Sequence, residues 1–124
     1  MLKNKIVVLG DVILDQYLYT DVSRISPEAP VPIALVKDQE YKLGGAANVA
    51  IGVSKLNKKV NLLGIIGVDE YGDVITNLLK ENGIENNLIV QSVISLRKTR
   101  IKAARQQLIR LDYESNRFTA LTSD

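Results

Sequence analysis

The chain has 124 residues, 46% of them hydrophobic, and its 16 basic and 14 acidic side chains give a formal net charge of +2. This size fits one domain or part of a larger one. The apolar content excludes compositional disorder, and the near balance of charge argues against both a nucleic-acid surface and an acidic scaffold. Cysteine and histidine are absent, which excludes disulfides, thiolate catalysis, cysteine metal sites and the usual general base. Any chemistry falls to carboxylates, amides, basic groups or a bound ion.

The opening segment MLKNKIVVLGD has an apolar run of only IVVL before Gly10 and Asp11. That is too short for a signal-peptide core, and no later run approaches a membrane span, so the expected location is cytoplasmic. Residues 5–10, KIVVLG, read as a buried strand ending at glycine. Asp11 and Asp15 follow, then Tyr17 and Tyr19. The polar stretch TDVSRISPEAP reads as a turn region leading to a strand at 31–36, where Pro32 suits a sheet edge or the first residues of a strand. A short strand including Tyr41 comes after KDQE.

From Gly45 to Leu56, Val49, Val53 and Leu56 recur at helical spacing, with alanines filling much of the remainder. The pattern predicts a helix starting near 44–46 and ending at Asn57–Lys59. VNLLGIIG at 60–67 reads as one buried strand. Asp69 is placed to cap the next helix, whose apolar face carries Val74, Ile75, Leu78 and Leu79 and whose stop is Gly83. LIVQSVI at 88–94 gives a short strand, and RIKAARQQLIRLDYE reads as a hairpin or bent pair over about 98–104 and 107–113. Strands alternating with helices from 60 onward indicate a parallel α/β arrangement. Three parallel strands with two helices cover such a sheet poorly, so the chain reads as the opening of a larger domain.

Several groups of residues carry possible chemistry. Asp11 and Asp15 lie just past a strand end, where ligands collect in open α/β sheets. Their carboxylates accept hydrogen bonds from a polyol, or equally serve as a turn cap and a solvated charge. LGGAANVA, residues 43–50, lacks the lysine and hydroxyl of a phosphate loop, and its adjacent glycines do not fit a dinucleotide motif. What remains is close backbone approach at Gly44 and Gly45, followed by a helix whose first turn presents Asn48, both donor and acceptor. Tight helix packing is the competing explanation. In GIIGVDEYG the glycines and Asp69 read as turn and cap. Lys98, Arg100, Arg105 and Arg110, with Gln106 and Gln107, form a basic set. Lys98 and Arg100 share a strand face and suit a phosphate, or protect a sheet edge from aggregation.

Taken together, GDVILDQYLYTDVSRISPEAPVPI, LGGAANVA, GIIGVDEYGD and KTRIKAARQQLIRLDYE resemble the N-terminal part of the heptose 7-phosphate kinases, a branch of the ribokinase-like (PfkB) carbohydrate kinases. The resemblance runs from about residue 5 to 114. SRISPEAPVP with QQLIRLD carries the heptose branch, whereas the glycine–asparagine motif identifies only the superfamily. Ile94-Ser95 stands where relatives commonly have Pro-Thr, and Ala104 where a polar residue is usual.

The resemblance implies an α/β, ribokinase-like three-layer fold with a small β lid over about 12–42 and 98–112. Residues 1–124 would be its N-terminal part. It implies that Asp11, Asp15, Gly44, Gly45 and Asn48 line a sugar pocket, with Lys98, Arg100 and Gln106 near the distal phosphate. The complete enzyme would transfer the γ-phosphoryl group of ATP, with Mg²⁺, to the anomeric hydroxyl of D-glycero-D-manno-heptose 7-phosphate. It would serve ADP-heptose and lipopolysaccharide-core synthesis.

The resemblance further implies a homodimer formed through the lid and a possible following adenylyltransferase domain, with no nucleic acid or membrane partner. The aspartate base and most of the ATP site would lie beyond position 124. This stretch alone would then be inactive and bind neither ATP nor Mg²⁺ well. The alternatives are another PfkB-type sugar or nucleoside kinase, or a non-catalytic sugar-binding or dimerisation module.

Overall fold

The computed structural model describes residues 5–56 and 59–114. Its body is built on strands β1 (Lys5–Leu9), β4 (Lys59–Leu63) and β6 (Glu85–Asn86), all parallel, in the order β1-β4-β6. A second parallel pair joins β5 (Ile65–Gly67) to β7 (Ile89–Gln91). Helices α1 (Ala46–Ser54) and α2 (Glu70–Glu81) supply the connections. The remaining strands, β2 (Val12–Ile25), β3 (Pro32–Gly45), β8 (Leu96–Ala103) and β9 (Gln106–Tyr113), form a separate four-stranded sheet in the order β3-β2-β8-β9.

The expected α/β architecture with a β lid is therefore present, but its strands run longer than their sequence spans. The stretch expected to turn from Thr20 remains in β2 as far as Ile25, and the strands expected at 31–36 and around Tyr41 are one strand, β3. Register shifts near Tyr19/Thr20 and Asp21/Arg24 absorb the polar stretch without ending the ladder. Pro32 opens β3, an edge strand, as its missing N–H requires.

The strand expected over 60–67 is divided at Gly64. A β-carbon there would lie 2.8 Å from both the Gly10 carbonyl oxygen and Val12 Cγ2. The chain passes too close to the β1–β2 turn for a side chain. On one side of this crossing Leu63 O accepts from Gly10 N, and on the other Gly64 O accepts from Ile89 N at 2.8 Å. The ladder thus changes partner, and 89–91 pairs with β5 rather than joining β1 and β4.

The core gathers residues of the lid sheet, the parallel body and α2 around Val12, Leu14, Leu62, Ile75 and Leu79, all fully buried. In α2, Ile75 and Leu79 are buried and Val74 and Leu78 pack against them, as the spacing predicts. The helix stops at Asn82, with Gly83 at φ 67° behind it. α1 differs from expectation. Its buried residues are Ala47 and Ala50, while Val49 and Leu56 are 55% and 70% exposed. Small side chains let this helix sit directly on the β1–β2 turn, where a β-carbon on Gly10 would reach Ala46 Cβ at 3.2 Å. The helix ends at Ser54, earlier than the expected 57–59, of which 57–58 lie outside the described residues and Lys59 already opens β4. Val7 and Leu9 of β1, read as buried, are 55% and 77% exposed, because β1 has a strand neighbour on only one side among the described residues.

The hairpin between β8 and β9 turns through Ala104 and Arg105, with Ala104 at φ 55°. A β-carbon in this region costs about 1–2 kcal/mol, and glycine removes that cost. Ala104→Gly is therefore expected to stabilise the chain by about 0.5–1 kcal/mol. A raised urea midpoint with an unchanged slope is the measurement that shows it.

Candidate functional site

Strand alternation divides the lid into two faces. On β2, Val12, Leu14 and Gln16 are buried towards the body, and Ile13, Asp15 and Tyr17 occupy the other side. On β8, Arg97 and Thr99 are buried, while Lys98, Arg100 and Lys102 alternate with them. The register sets Asp15 opposite Lys42 of β3 and Lys98 of β8, so one lid face gathers a carboxylate, a tyrosine and several cations.

The body-facing side is structural. Thr99 Oγ1 donates to Gln16 Oε1 at 2.7 Å, tying β8 to β2 beneath the surface. The Arg97 guanidinium lies between two rings, 3.6 Å from the Tyr71 centroid on α2 and 3.9 Å from that of Tyr113 on β9. That stack joins the root of the lid to the body, each contact worth about 0.5–2 kcal/mol.

Chemistry concentrates on the opposite side. Arg100 Nη1 donates to Asp15 Oδ1 at 3.0 Å. This hydrogen bond, with the nearby negative charge, raises the Arg100 pKa above its ordinary value against the opposing effect of burial. The Tyr17 ring is surrounded by Lys42 at 5.4 Å, Arg100 at 5.4 Å and Lys102 at 5.8 Å from its centroid. Lys42 also pairs with Glu40 at 3.2 Å.

Gly44 completes the carboxylate's setting, since a β-carbon there would stand 2.5 Å from Asp15 Oδ2. Gly45 then turns the chain from β3 into α1 at φ 58° and ψ −136°, and Ala46 N donates to the Asp11 carbonyl oxygen at 2.8 Å. Asn48 falls in the first turn of α1. It is exposed, and its amide makes no hydrogen bond among the described residues. Asp11 is at the mouth of a cavity of about 220 Å³, lined also by Ile13, Arg97, Lys98 and Tyr113.

The lid face thus brings together Asp15, Gly44, Lys98 and Arg100, while the β3–α1 junction adds Gly45 and Asn48 beside Asp11. Gln106 is not brought to them. It pairs with Ala103, whose position alternates with Arg100 and Lys102, so the register places Gln106 on the other face at the far end of the hairpin. Sequence reasoning missed Tyr17, Lys42 and Lys102. The period of two that links Lys98 to Arg100 extends to Lys102, and Tyr17 stands two residues after Asp15. Lys42 needed the β2–β3 register. Among the described residues no group of three or more His, Cys, Asp or Glu side chains is placed to hold a metal ion, and no helix is long and apolar enough to cross a membrane.

Asp69 has a different role, as its position before α2 predicts. Its carboxylate accepts from Gly72 N at 2.8 Å, from Ser95 N at 2.9 Å and from Ser95 Oγ at 2.8 Å, while Ser95 Oγ accepts from Gly67 N at 3.0 Å. Burial acts to raise its pKa, but these hydrogen bonds and the Arg97 charge outweigh it and hold the carboxyl below its ordinary value.

Against known families, residues 3–111 match the pfkB family carbohydrate kinase model. The chain belongs to the pfkB carbohydrate kinases. Within this family it is 49% identical over 113 residues to the bifunctional protein HldE of Haemophilus ducreyi, covering 90% of this chain and 24% of that protein. It is 47% identical over 121 residues to the bifunctional protein HldE of Actinobacillus succinogenes, covering 97% and 25%. The pfkB chain therefore spans about a quarter of the length of these curated relatives.

Solved structures show the same fold. A carbohydrate kinase from Agrobacterium tumefaciens superposes with a TM-score of 0.73 at 23% identity, over 90% of this chain and 36% of that one. Ribokinase from Thermotoga maritima gives 0.68 at 23%, over 87% and 35%. The fold is ribokinase-like, with the four-stranded sheet as its β lid.

Proposed function

We propose that residues 1–124 form the sugar-binding part and lid of an ATP-dependent kinase acting on the anomeric hydroxyl of D-glycero-D-manno-heptose 7-phosphate. The observation that carries this reading is the convergence of Asp15 with the β3–α1 junction. Gly44 leaves room for the Asp15 carboxylate, and Gly45 brings the first turn of α1, with the unengaged Asn48, against the Asp11 backbone. A carboxylate and a primary amide offer several acceptors and two donors for adjacent hydroxyls. Lys98 and Arg100 on the same lid face supply the charge for the distal phosphate. The high identity to the relatives named bifunctional protein HldE supports the heptose branch over other sugars.

In this reading the chain's residues bind and orient the sugar and exclude water from it, work that supplies much of the rate in phosphoryl transfer. ATP supplies the phosphoryl group, with Mg²⁺ held outside this chain. The described residues hold no acidic cluster for the ion. In this reading the ATP-binding part and a second, adenylyltransferase, domain lie outside these residues, in keeping with a chain that spans about a quarter of the relatives named bifunctional protein HldE. The lid pairs with that of a second copy, and the protein works in the cytoplasm.

Calorimetry of the chain with heptose 7-phosphate and no nucleotide tests the sugar site. Binding is expected, and Asn48→Ala should weaken it by about tenfold, on the order of one charged or bidentate hydrogen-bonding contact. Its side chain is exposed, so the fold should be unaffected. An unchanged affinity would overturn the placement of the site, and no heat from the unmodified chain would overturn the reading itself.

A further inference from the structure

Asp15 is the carboxylate best placed for sugar hydroxyls, yet one of its oxygens is already taken by Arg100 at 3.0 Å. Both side chains are about one-fifth exposed, 20% for Asp15 and 21% for Arg100. Gly44 leaves space for the other oxygen, where a β-carbon would stand 2.5 Å away, so Arg100 holds the carboxylate by one edge only. A neutral polyol that uses the held oxygen replaces a charged donor with uncharged hydroxyls, a weaker partner for the same acceptor.

The surroundings contain what would draw Arg100 off. Lys98 and Lys102 flank it on the same face of β8, each about 7 Å away along the strand. Neither forms an ion pair among the described residues. A phosphate dianion seated along this row meets two ammonium groups without a carboxylate partner, Lys102 resting over the Tyr17 ring, and offers Arg100 a bidentate partner in place of a single contact to Asp15.

We propose that the Asp15–Arg100 ion pair is a phosphate-operated lock on the sugar site. The phosphate of a phosphorylated sugar withdraws Arg100 to the Lys98–Lys102 row, and this frees Asp15 to accept the hydroxyls of the same molecule. An unphosphorylated sugar of identical stereochemistry has nothing to withdraw Arg100 and meets a carboxylate with one oxygen held. Arg100 thereby acts twice in selection, attracting the phosphorylated substrate and obstructing the neutral one. The proposal rests on the heptose 7-phosphate reading above and adds the means of discrimination.

The test is titration of the chain, followed by NMR so that weak affinities are measurable, with heptose 7-phosphate and with the same heptose lacking phosphate. Arg100→Gln should weaken binding of the phosphorylated sugar and strengthen binding of the neutral one, the latter by about tenfold. Asp15→Asn, which keeps an acceptor but breaks the ion pair, should also narrow the preference. The double variant should narrow it less than the sum of the single effects, as expected for groups in one interaction. The Asp15→Asn arm still decides the matter if Arg100→Gln does not fold.

A simple phosphate contact makes the opposite prediction. If Arg100→Gln loses phosphorylated-sugar affinity while neutral-sugar affinity stays the same or falls, the lock is overturned and the heptose reading stands. If the unmodified chain binds neither sugar, the heptose reading falls and takes the lock with it.

Discussion

Replacing Gly45 by alanine is expected to destabilise the chain by about 2–6 kcal/mol, through two independent effects. The first is conformational. Gly45 holds φ 58° with ψ −136°, a combination closed to residues with a β-carbon, and forcing one there costs about 1–3 kcal/mol. The second is steric, because the new β-carbon would stand 2.3 Å from the Asp11 carbonyl oxygen and 3.1 Å from Ile13 Cδ1. A backbone oxygen cannot step aside as a side chain can, and overpacking of this kind adds about 1–3 kcal/mol. The total is a large share of the roughly 5–15 kcal/mol that holds a typical domain together. Urea denaturation should show a sharply lowered midpoint, and a loss below about 1 kcal/mol would mean the β3–α1 junction is not built as described. Since Ala46 N donates to Asp11 O at this junction, relaxation there also shifts the first turn of α1, and under the proposed function sugar affinity should fall with stability.

The lid sheet separates anchoring residues from a charged face by the simple alternation of its strands. Gln16, Arg97 and Thr99 point to the body, where they bond to one another or stack on Tyr71 and Tyr113. Asp15, Lys98 and Arg100 take the intervening positions and share the opposite face. Any substitution that slipped β2 by one residue against β8 would exchange the two sets, bury charge and expose the core. The Thr99–Gln16 hydrogen bond, at 2.7 Å and buried, fixes the register against such a slip.

Where the sequence is legible, a short-range rule suffices. α2 declares itself through Asp69, the spacing of Ile75 and Leu79, and Gly83, all within one helix. The basic face of β8 follows from a period of two. The lid strands were harder, because β2 and β3 carry polar stretches that only a cross-strand ladder holds extended, as between Leu18 and Gln39 or Tyr19 and Asp38. The apolar face of α1 misled for a related reason. Hydrophobicity favours Val49 and Leu56, but the close approach of the β1–β2 turn admits only Ala47 and Ala50. Gly64 likewise reads as an interruption within one strand, and its steric role depends on Gly10 and Val12, far away in sequence. Asp15 and Gly44 were both legible as candidates, whereas the contact of Arg100 with Asp15 spans 85 positions and needed the fold.

Asp69→Asn should cost about 2 kcal/mol at neutral pH and nearly nothing in acid, and that pH dependence separates a charge effect from a packing effect. In the native chain the carboxylate accepts from Gly72 N, Ser95 N and Ser95 Oγ. An asparagine keeps one acceptor for the helix cap but turns an N–H donor towards Ser95 N or Oγ. Hydrogen bonds to a charged group are worth about 1.5–3 kcal/mol each, roughly twice a neutral bond. Burial alone would raise this pKa, but the hydrogen bonds and Arg97 bring it below the ordinary value of 3.8. A carboxyl with a depressed folded-state pKa contributes stability that is fully present above the unfolded value, about 3.9. That contribution is lost as pH falls through the lower folded value. The difference between the native chain and Asp69→Asn should therefore be flat from about pH 7 to pH 5 and shrink below about pH 4. Urea midpoints measured across that range decide it. A difference that persists unchanged in acid would assign the effect to shape, with Ser95 and Gly67 N held by packing rather than by the Asp69 charge.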